Sequence, residues 1–161
     1  LGRPAGGQRT FDVSPNGTFR TLAAAVAAAR SGDRIVIRDG TYHGPTAVVD
    51  KQLTIEGQGH PVLDGENTRG LIIIKADDVT VRGLTLRNVG TSFVEDRAAL
   101  RVDNAHGCLI DDNHIDDATD SSTEIIRADL LYDGEKVRHN SDRLAQVVLD
   151  CRKQALAAVT V

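Results

Sequence analysis

The sequence has few of the residues that form stacking platforms or soft metal sites. Aromatic residues make up 3% of the 161 positions, and tryptophan and methionine are absent. The flat rings on which single-stranded nucleic acids and sugars stack are therefore scarce. The two cysteines, Cys108 and Cys151, allow at most one disulfide and lack the spacing of a zinc site. The hydrophobic core must then consist of valine, isoleucine, leucine and alanine.

An excess of positive charge and long apolar runs are also missing. Lysine and arginine number 19 against 23 acidic residues, a net charge of -4, so no basic field is available for a nucleic acid or an anionic membrane. The longest apolar runs, Leu22 to Ala29 and Leu71 to Ile74, fall far below the ~20 residues of a membrane-spanning helix. We therefore expect one compact domain without a nucleic-acid partner.

Short apolar-polar-apolar triplets recur along the chain. One begins at Leu53, a second at Val79 and a third at Cys108, which gives separations of 26 and 29 residues. The second and third are each followed, after two residues, by another triplet, Leu84 to Leu86 and Asn113 to Ile115. A further apolar segment closes each unit, at Ala47 to Val49, Leu71 to Ile74 and Leu100 to Val102. The repeat predicts three short strands per turn of a solenoid.

Strands of three residues cannot form a stable sheet by pairing along their own length. Stacking each strand on the same strand of the next turn, about 4.8 Å away, gives an all-β solenoid of the parallel β-helix type. The alternation places these apolar side chains inside the coil: Leu53, Ile55, Val79, Val81, Leu84, Leu86, Ile110 and Ile115. The outward positions are Thr54, Thr80, Thr85 and His114. Asn113 falls on an inward position, so its amide must bond to backbone groups of a corner.

The β-helix, together with a helix that caps it, is predicted over residues 18–117, and the segments on either side have different compositions. Residues 1–17 are predicted to be irregular, and Thr18 to Arg30 to form a helix, with Thr18 as N-cap and Gly32 as stop, that covers the first turn. Residues 118–161 are predicted to be a polar linker followed by a C-terminal helix that begins at Ser141. That helix has an apolar stripe at helical spacing, made of Leu144, Val148, Cys151, Ala155 and Ala158.

Three roles are open for this tail. It covers the last turn of the coil, which we favour because apolar stripes are usually buried within their own chain, or it docks to a partner, or it is the poorly folded tail of a truncated relative. A coil with both ends covered is expected to be a monomer. Whether Cys108 pairs with Cys151 is also open.

The entry to the repeat resembles that of right-handed parallel β-helix proteins of the pectin-lyase-like superfamily. The resemblance rests on the helix ending in Ser31-Gly32-Asp33, then on Ile35-Val36-Ile37 and Asp39-Gly40-Thr41-Tyr42. Later motifs are similar to the NosD family: Leu53 to Gly57, Pro61 to Gly65, Asp78 to Asn88 and Asp111 to Asn113. The fold that this resemblance implies is a short right-handed β-helix with three strands per turn.

The NosD resemblance also implies a function. It is that of a non-catalytic periplasmic accessory protein, which works with a membrane ABC transporter in assembling the copper centre of nitrous oxide reductase. This resemblance is the only reason to consider copper as a ligand. The chain has five histidines and no methionine, whereas thioethers are the ligands that a Cu(I) carrier most readily uses. We therefore expect no bound metal or cofactor.

The competing class is a β-helix that binds or degrades a polysaccharide, as a lyase, hydrolase or epimerase. Such chemistry needs clustered carboxylates, or a base with Ca²⁺ and arginine. Acidic pairs occur at Asp77-Asp78, which turn chemistry explains, and at Asp111-Asp112. His106-Gly107 resembles a pectinase motif without its acidic partners. No catalytic residue is assigned, and a non-enzyme is favoured.

The candidate metal ligands are two histidines and two aspartates, His60, His114, Asp111 and Asp112. A solvated acidic face explains the aspartates better than a calcium site does, because no calcium-loop periodicity is present. His60 and His114 are predicted to lie two turns apart, about 9 to 10 Å. Surface turn histidines are therefore expected at these positions, as at His43, His106 and His139.

Overall fold

The computed structural model describes residues 7–89, 99–116, 130–132, 135–138, 147–151 and 154–155. In this part of the chain three sheets form a parallel β-solenoid of about four turns, which confirms the predicted all-β solenoid. In chain order the elements are β1 Thr10–Val13, α1 Leu22–Ala28, β2 Arg34–Ile37, β3 Thr41–Tyr42, β4 Ala47–Val49, β5 Thr54–Gly57, β6 Val62–Asp64, β7 Ile72–Ile74, β8 Thr80–Arg82, β9 Thr85–Arg87, β10 Leu100–Asp103, β11 Leu109–Asp111, β12 His114–Asp116, β13 Leu130–Tyr132, β14 Glu135–Arg138, β15 Val147–Cys151 and β16 Gln154–Ala155.

Each sheet takes one strand from successive turns. Sheet A has the order β1-β2-β5-β8-β11-β14-β13, sheet B the order β12-β9-β6-β3, and sheet C the order β16-β15-β10-β7-β4. The strands of the repeat pair in parallel, whereas β13–β14 and β15–β16 are antiparallel. Among the described residues, no helix is long and apolar enough to span a membrane.

The register of sheet A agrees with the sequence repeat. Thr54 of β5 lies beside Thr80 of β8, and Thr80 lies beside Leu109 of β11. These steps are 80 − 54 = 26 and 109 − 80 = 29 residues, the separations of the triplets. The triplets therefore stack on each other between turns, and β8 and β9 lie in different sheets instead of forming a hairpin.

The interior of the coil contains the predicted apolar residues. All eight are fully buried: Leu53, Ile55, Val79, Val81, Leu84, Leu86, Ile110 and Ile115. Asn113 is also buried. Its Oδ1 accepts from the backbone N–H of Leu84 at 3.1 Å, and its Nδ2 donates to the carbonyl of Val81 at 3.0 Å. The amide therefore bonds to the corner of the preceding turn, as its inward position requires.

The cap at the first turn differs from the prediction in its bounds. The helix begins at Leu22, and its N-cap is Thr21, whose Oγ1 accepts from the backbone N–H of Ala24 at 3.2 Å. Thr18 is not the N-cap because the next residue, Phe19, is held in a parallel bridge to Val13. The helix ends at Ala28, and Lys51 Nζ donates to the carbonyls of Val26 and Ala29 at 2.9 and 3.0 Å. This charge stabilises the helix C-terminus.

The segment predicted to be irregular contains a strand. Thr10–Val13 forms β1 and pairs in parallel with β2, because Phe11 and Val13 turn inward and the edge of β2 needs a partner. The residue before β1, Arg9, is held by the buried carboxylate of Asp33. Arg9 Nη2 contacts Asp33 Oδ2 at 2.6 Å, and the backbone N–H of Arg30 donates to the same oxygen at 2.8 Å. The Arg9 hydrogen bond lowers the pKa of Asp33 to about 2, against the opposing effect of burial.

The predicted C-terminal helix is wrong where the structure describes it. Val147–Cys151 is a strand that pairs in parallel with β10, and Gln154–Ala155 pairs back on it. The free edge of β10 can bond to an extended backbone but not to a helix, and the run Val147-Val148-Leu149 favours a strand. Ser141, Leu144 and Ala158 lie outside the described residues. Cys108 is a buried thiol that donates to the carbonyl of Ala76 at 3.6 Å.

Replacement of a single inward residue tests the assignment of faces. Val81→Asp places a charge between Ile55 and Ile110 in a dry interior and should lower the free energy of unfolding by about 4 kcal/mol or more. Thr80→Asp lies on the outer face and should change it by no more than about 1 kcal/mol. Urea denaturation followed by circular dichroism measures both. Similar losses in the two variants would contradict the assignment.

Candidate functional site

The structure brings together two of the four candidate metal ligands. His60 Nε2 lies 3.5 Å from Asp112 Oδ2, and both side chains are more than half exposed. His60 belongs to the corner between β5 and β6, and Asp112 to the corner two turns further on. In the turn between them the corner is Gly83, whose N–H donates to the carbonyl of Asp112 at 3.0 Å. A side chain can therefore reach across the middle turn.

The other two candidates are separated from this pair. Asp111 points from sheet A and contacts Arg82 Nη2 at 3.2 Å, whereas His114 is exposed on sheet B. Across the residues that the structure describes, no three histidine, cysteine or acidic side chains group as metal ligands would. The surface therefore has one histidine–aspartate pair and one arginine–aspartate pair here, and His139 lies outside the described residues.

The acidic pair at Asp77 and Asp78 belongs to a structural corner. Asp77 Oδ1 accepts from the backbone N–H of His106 at 2.9 Å, and the backbone N–H of Asp78 donates to the carbonyl of His106 at 2.9 Å. A Cβ at Gly107 would collide with the carboxylate of Asp78. These residues therefore hold two turns together, and the resemblance of His106-Gly107 to a pectinase motif has a structural explanation.

A polar cluster that sequence reasoning missed lies at the corner between sheets B and C. Glu66 Oε1 is 3.2 Å from His43 Nδ1 and 3.1 Å from Arg69 Nη2, and Arg69 Nε donates to the carbonyl of Gly44 at 2.7 Å. Glu66 and Asn67 both have left-handed backbone angles, with φ of 53° and 58°. Residues other than glycine, asparagine and aspartate rarely adopt such angles, so Glu66 is the strained residue of this turn.

Asp64 holds this strained turn in place. Its Oδ1 accepts from the backbone N–H of Glu66 at 2.8 Å, and its Oδ2 accepts from Asn88 Nδ2 at 3.0 Å and Arg87 Nε at 3.2 Å. Burial alone would raise the pKa of Asp64, but these three hydrogen bonds outweigh it and lower the pKa. The carboxylate therefore stays ionised at neutral pH and acts as an acceptor that joins two turns.

A narrow cleft lies beside the cluster of His43, Glu66 and Arg69. Its lining residues are Leu22, Tyr42, Gly44, Pro45, Ala47, Leu63, Asp64 and Leu71. Polar and apolar atoms both line the cleft, and its space suits a water molecule better than a sugar ring. Part of the cluster of His43, Glu66 and Arg69 can be found from the sequence, because Asp64-Gly65 followed by Asn67 is a turn signal. The approach of His43 to Glu66 cannot be found in this way, because it depends on the register between β3 and β6.

Comparison with known proteins identifies no relative: no protein-family model, no curated protein and no solved structure matches the chain. The parallel β-solenoid therefore stands on the structure itself. The similarity to the NosD family rests on the sequence motifs alone.

The dispersed histidines predict that the chain has no tight Cu(I) site. Titration of the purified chain with Cu(I) against a competing chelator should show no stoichiometric submicromolar binding, since soft thioether ligands are absent and His60 is joined by one aspartate. Submicromolar binding of one Cu(I) per chain would contradict this. The variants His60→Ala and His114→Ala would then show whether these histidines are the ligands.

Proposed function

We propose that the chain is a non-catalytic accessory protein of the kind that the NosD resemblance implies. It works outside the cytoplasm, with a membrane ABC transporter, in assembling the copper centre of nitrous oxide reductase. Its contribution is that of a rigid β-solenoid that holds other proteins in position. The support is the parallel solenoid together with the sequence motifs Leu53 to Gly57 and Asp78 to Asn88.

The observation that carries the proposal is the use of the buried carboxylates. Asp33 and Asp64 are both buried, and hydrogen bonds from arginine and backbone N–H groups lower the pKa of each. A general acid needs a pKa raised towards neutrality. These two carboxylates are instead ionised acceptors that join neighbouring turns, so their chemistry is that of a scaffold.

The exposed charges of the outer faces are used in the same way. On sheet A, arginines reach across turns to carboxylates, at 2.6 Å in Arg34–Glu56 and 3.2 Å in Arg82–Asp111. Exposed pairs of this kind each contribute little to stability. They do neutralise opposite charges on the outer face of sheet A, which suits a scaffold better than binding of an ionic substrate.

A second candidate function, polysaccharide binding or degradation, is favoured by the cluster of His43, Glu66 and Arg69. Glu66 orients the imidazole through Nδ1, an arrangement that would let Nε2 serve as a base while Arg69 stabilises a developing anion. Polyuronide cleavage, measured with and without Ca²⁺ for the wild type and His43→Ala, separates the candidates. Cleavage that His43→Ala abolishes would establish the second one.

Deletion of the gene from its source organism tests the accessory function. Nitrous oxide reductase purified from the deletion strain should be present in normal amount but depleted of copper, because its assembly step has been lost. The wild-type gene and His43→Ala should both restore the copper content. A fully loaded reductase in the deletion strain would contradict the proposal.

A further inference from the structure

The turn between β1 and α1 contains the pair Asn16-Gly17, the one asparagine–glycine pair in the 161-residue sequence. The turn runs from Ser14 to Gly17 and is closed by a hydrogen bond of 3.2 Å from the Gly17 N–H to the Ser14 carbonyl. Asn16 is exposed. Asparagine and glycine are common in turns, so their presence alone carries no argument.

Gly17 is required by packing and not by its backbone conformation. Its φ angle is not left-handed, so the backbone at this position would accept other residues. A Cβ here would, however, collide with Ser14 Oγ. This close contact selects glycine, and glycine leaves the peptide nitrogen that follows Asn16 without a side chain to shield it.

We propose that Asn16 is a site of spontaneous modification, at which the chain converts this asparagine to aspartate and isoaspartate. In the first step the peptide nitrogen of Gly17 attacks Cγ of Asn16. The N–Cγ bond forms, the Cγ–Nδ2 bond breaks, and the amide group leaves as ammonia with the proton of the Gly17 N–H. The product is a cyclic imide.

Water completes the reaction. Addition of water to the side-chain carbonyl of the imide breaks the new N–Cγ bond and gives aspartate. Addition to the main-chain carbonyl breaks the original peptide bond between Asn16 and Gly17 and leaves the chain joined through Cγ, as isoaspartate. Water is the only co-reactant, so the modification needs no enzyme, metal or oxidant.

The hydrogen bond of the Gly17 N–H slows the attack but does not prevent it. At 3.2 Å this bond is at the long end of the usual range, and it belongs to a surface turn. Such turns open locally at a small cost in free energy. We therefore expect the folded chain to react at Asn16 more slowly than a free peptide, but faster than at asparagines that precede bulkier residues.

The two products should affect the cap differently. Phe19, two residues after Gly17, is held beside Val13 by a parallel bridge, and its carbonyl accepts from the Ser14 N–H at 3.0 Å. Isoaspartate adds one carbon atom to the main chain inside this loop, so it should loosen the bridge. Aspartate leaves the main chain unchanged and adds an exposed charge. This inference goes beyond the accessory function and does not depend on it.

Ageing of the full chain tests the modification. The purified protein is incubated in mildly alkaline buffer and digested with trypsin, which places Asn16 in the peptide from Thr10 to Arg20. Mass spectrometry should show that the amide group of this peptide is replaced by a hydroxyl, in two products of different retention, and a fresh sample corrects for reaction during digestion. Asn67, which is exposed but precedes a threonine, is the matched control and should be unchanged when half of Asn16 has reacted.

A synthetic peptide from Thr10 to Arg20 measures the reactivity of the open turn. Complete reaction of this peptide without reaction of Asn16 in the folded chain would overturn the inference, because the fold would then protect the site. Equal reaction at Asn16 and Asn67 would also overturn it, because glycine would then make no difference. Asn16→Gln, whose longer side chain would have to close a larger ring, should abolish the reaction.

Amide hydrogen exchange tests the effect on the cap. In the isoaspartate fraction of the aged protein the Ser14 N–H should exchange about fivefold faster than in fresh protein, as the loss of one hydrogen bond implies. Asn16→Asp, the matched control for the added charge, should exchange like the fresh protein. Equally fast exchange in Asn16→Asp, or unchanged exchange in the isoaspartate fraction, would overturn the effect assigned to the longer main chain.

Discussion

The stacking of each short strand on its equivalent in the next turn is the constraint on which the rest of the structure depends. A three-residue strand such as Thr80–Arg82 has almost no stability alone, but between β5 and β11 its backbone groups bond on both sides. The same register lines up Ile55, Val81 and Ile110 inside the coil. Backbone pairing and hydrophobic burial therefore depend on one alignment, and a shift of one residue would turn the core outward.

The corners allow turns of unequal length to keep that alignment. Successive partners in sheet A are 26 and 29 residues apart, so the extra residues must leave the coil at the corners. Left-handed residues such as Asp78, Asn88 and Asp112 lie at the corners, where short polar side chains tolerate this backbone conformation. Buried polar groups then hold the corners: Asn113 bonds to the turn before it, and Asp64 joins two turns. The carboxylate of Asp64 therefore both joins two turns of the solenoid and holds the strained turn at Glu66.

Sequence reasoning found the solenoid because the triplets combine two periods, alternation within a strand and recurrence between turns. It found the inward position of Asn113 for the same reason. It was wrong where pairing with another strand determines the local structure. Phe19 pairs with Val13 and therefore lies outside the helix. Val147–Cys151 pairs with the edge of β10 and is a strand, although Val148 and Cys151 lie at helical spacing. The cluster at His43 depends on the register between turns, which no local pattern specifies.

Disulfide trapping tests the stacking most directly. With Cys108 and Cys151 replaced by alanine, the pair Thr54→Cys and Thr80→Cys should form a disulfide in the folded protein, because parallel register partners lie about 4.8 Å apart. The pair Thr80→Cys and Thr85→Cys, which would face each other if β8 and β9 formed a hairpin, should not. Disulfide formation by the second pair and not by the first would contradict the stacked solenoid.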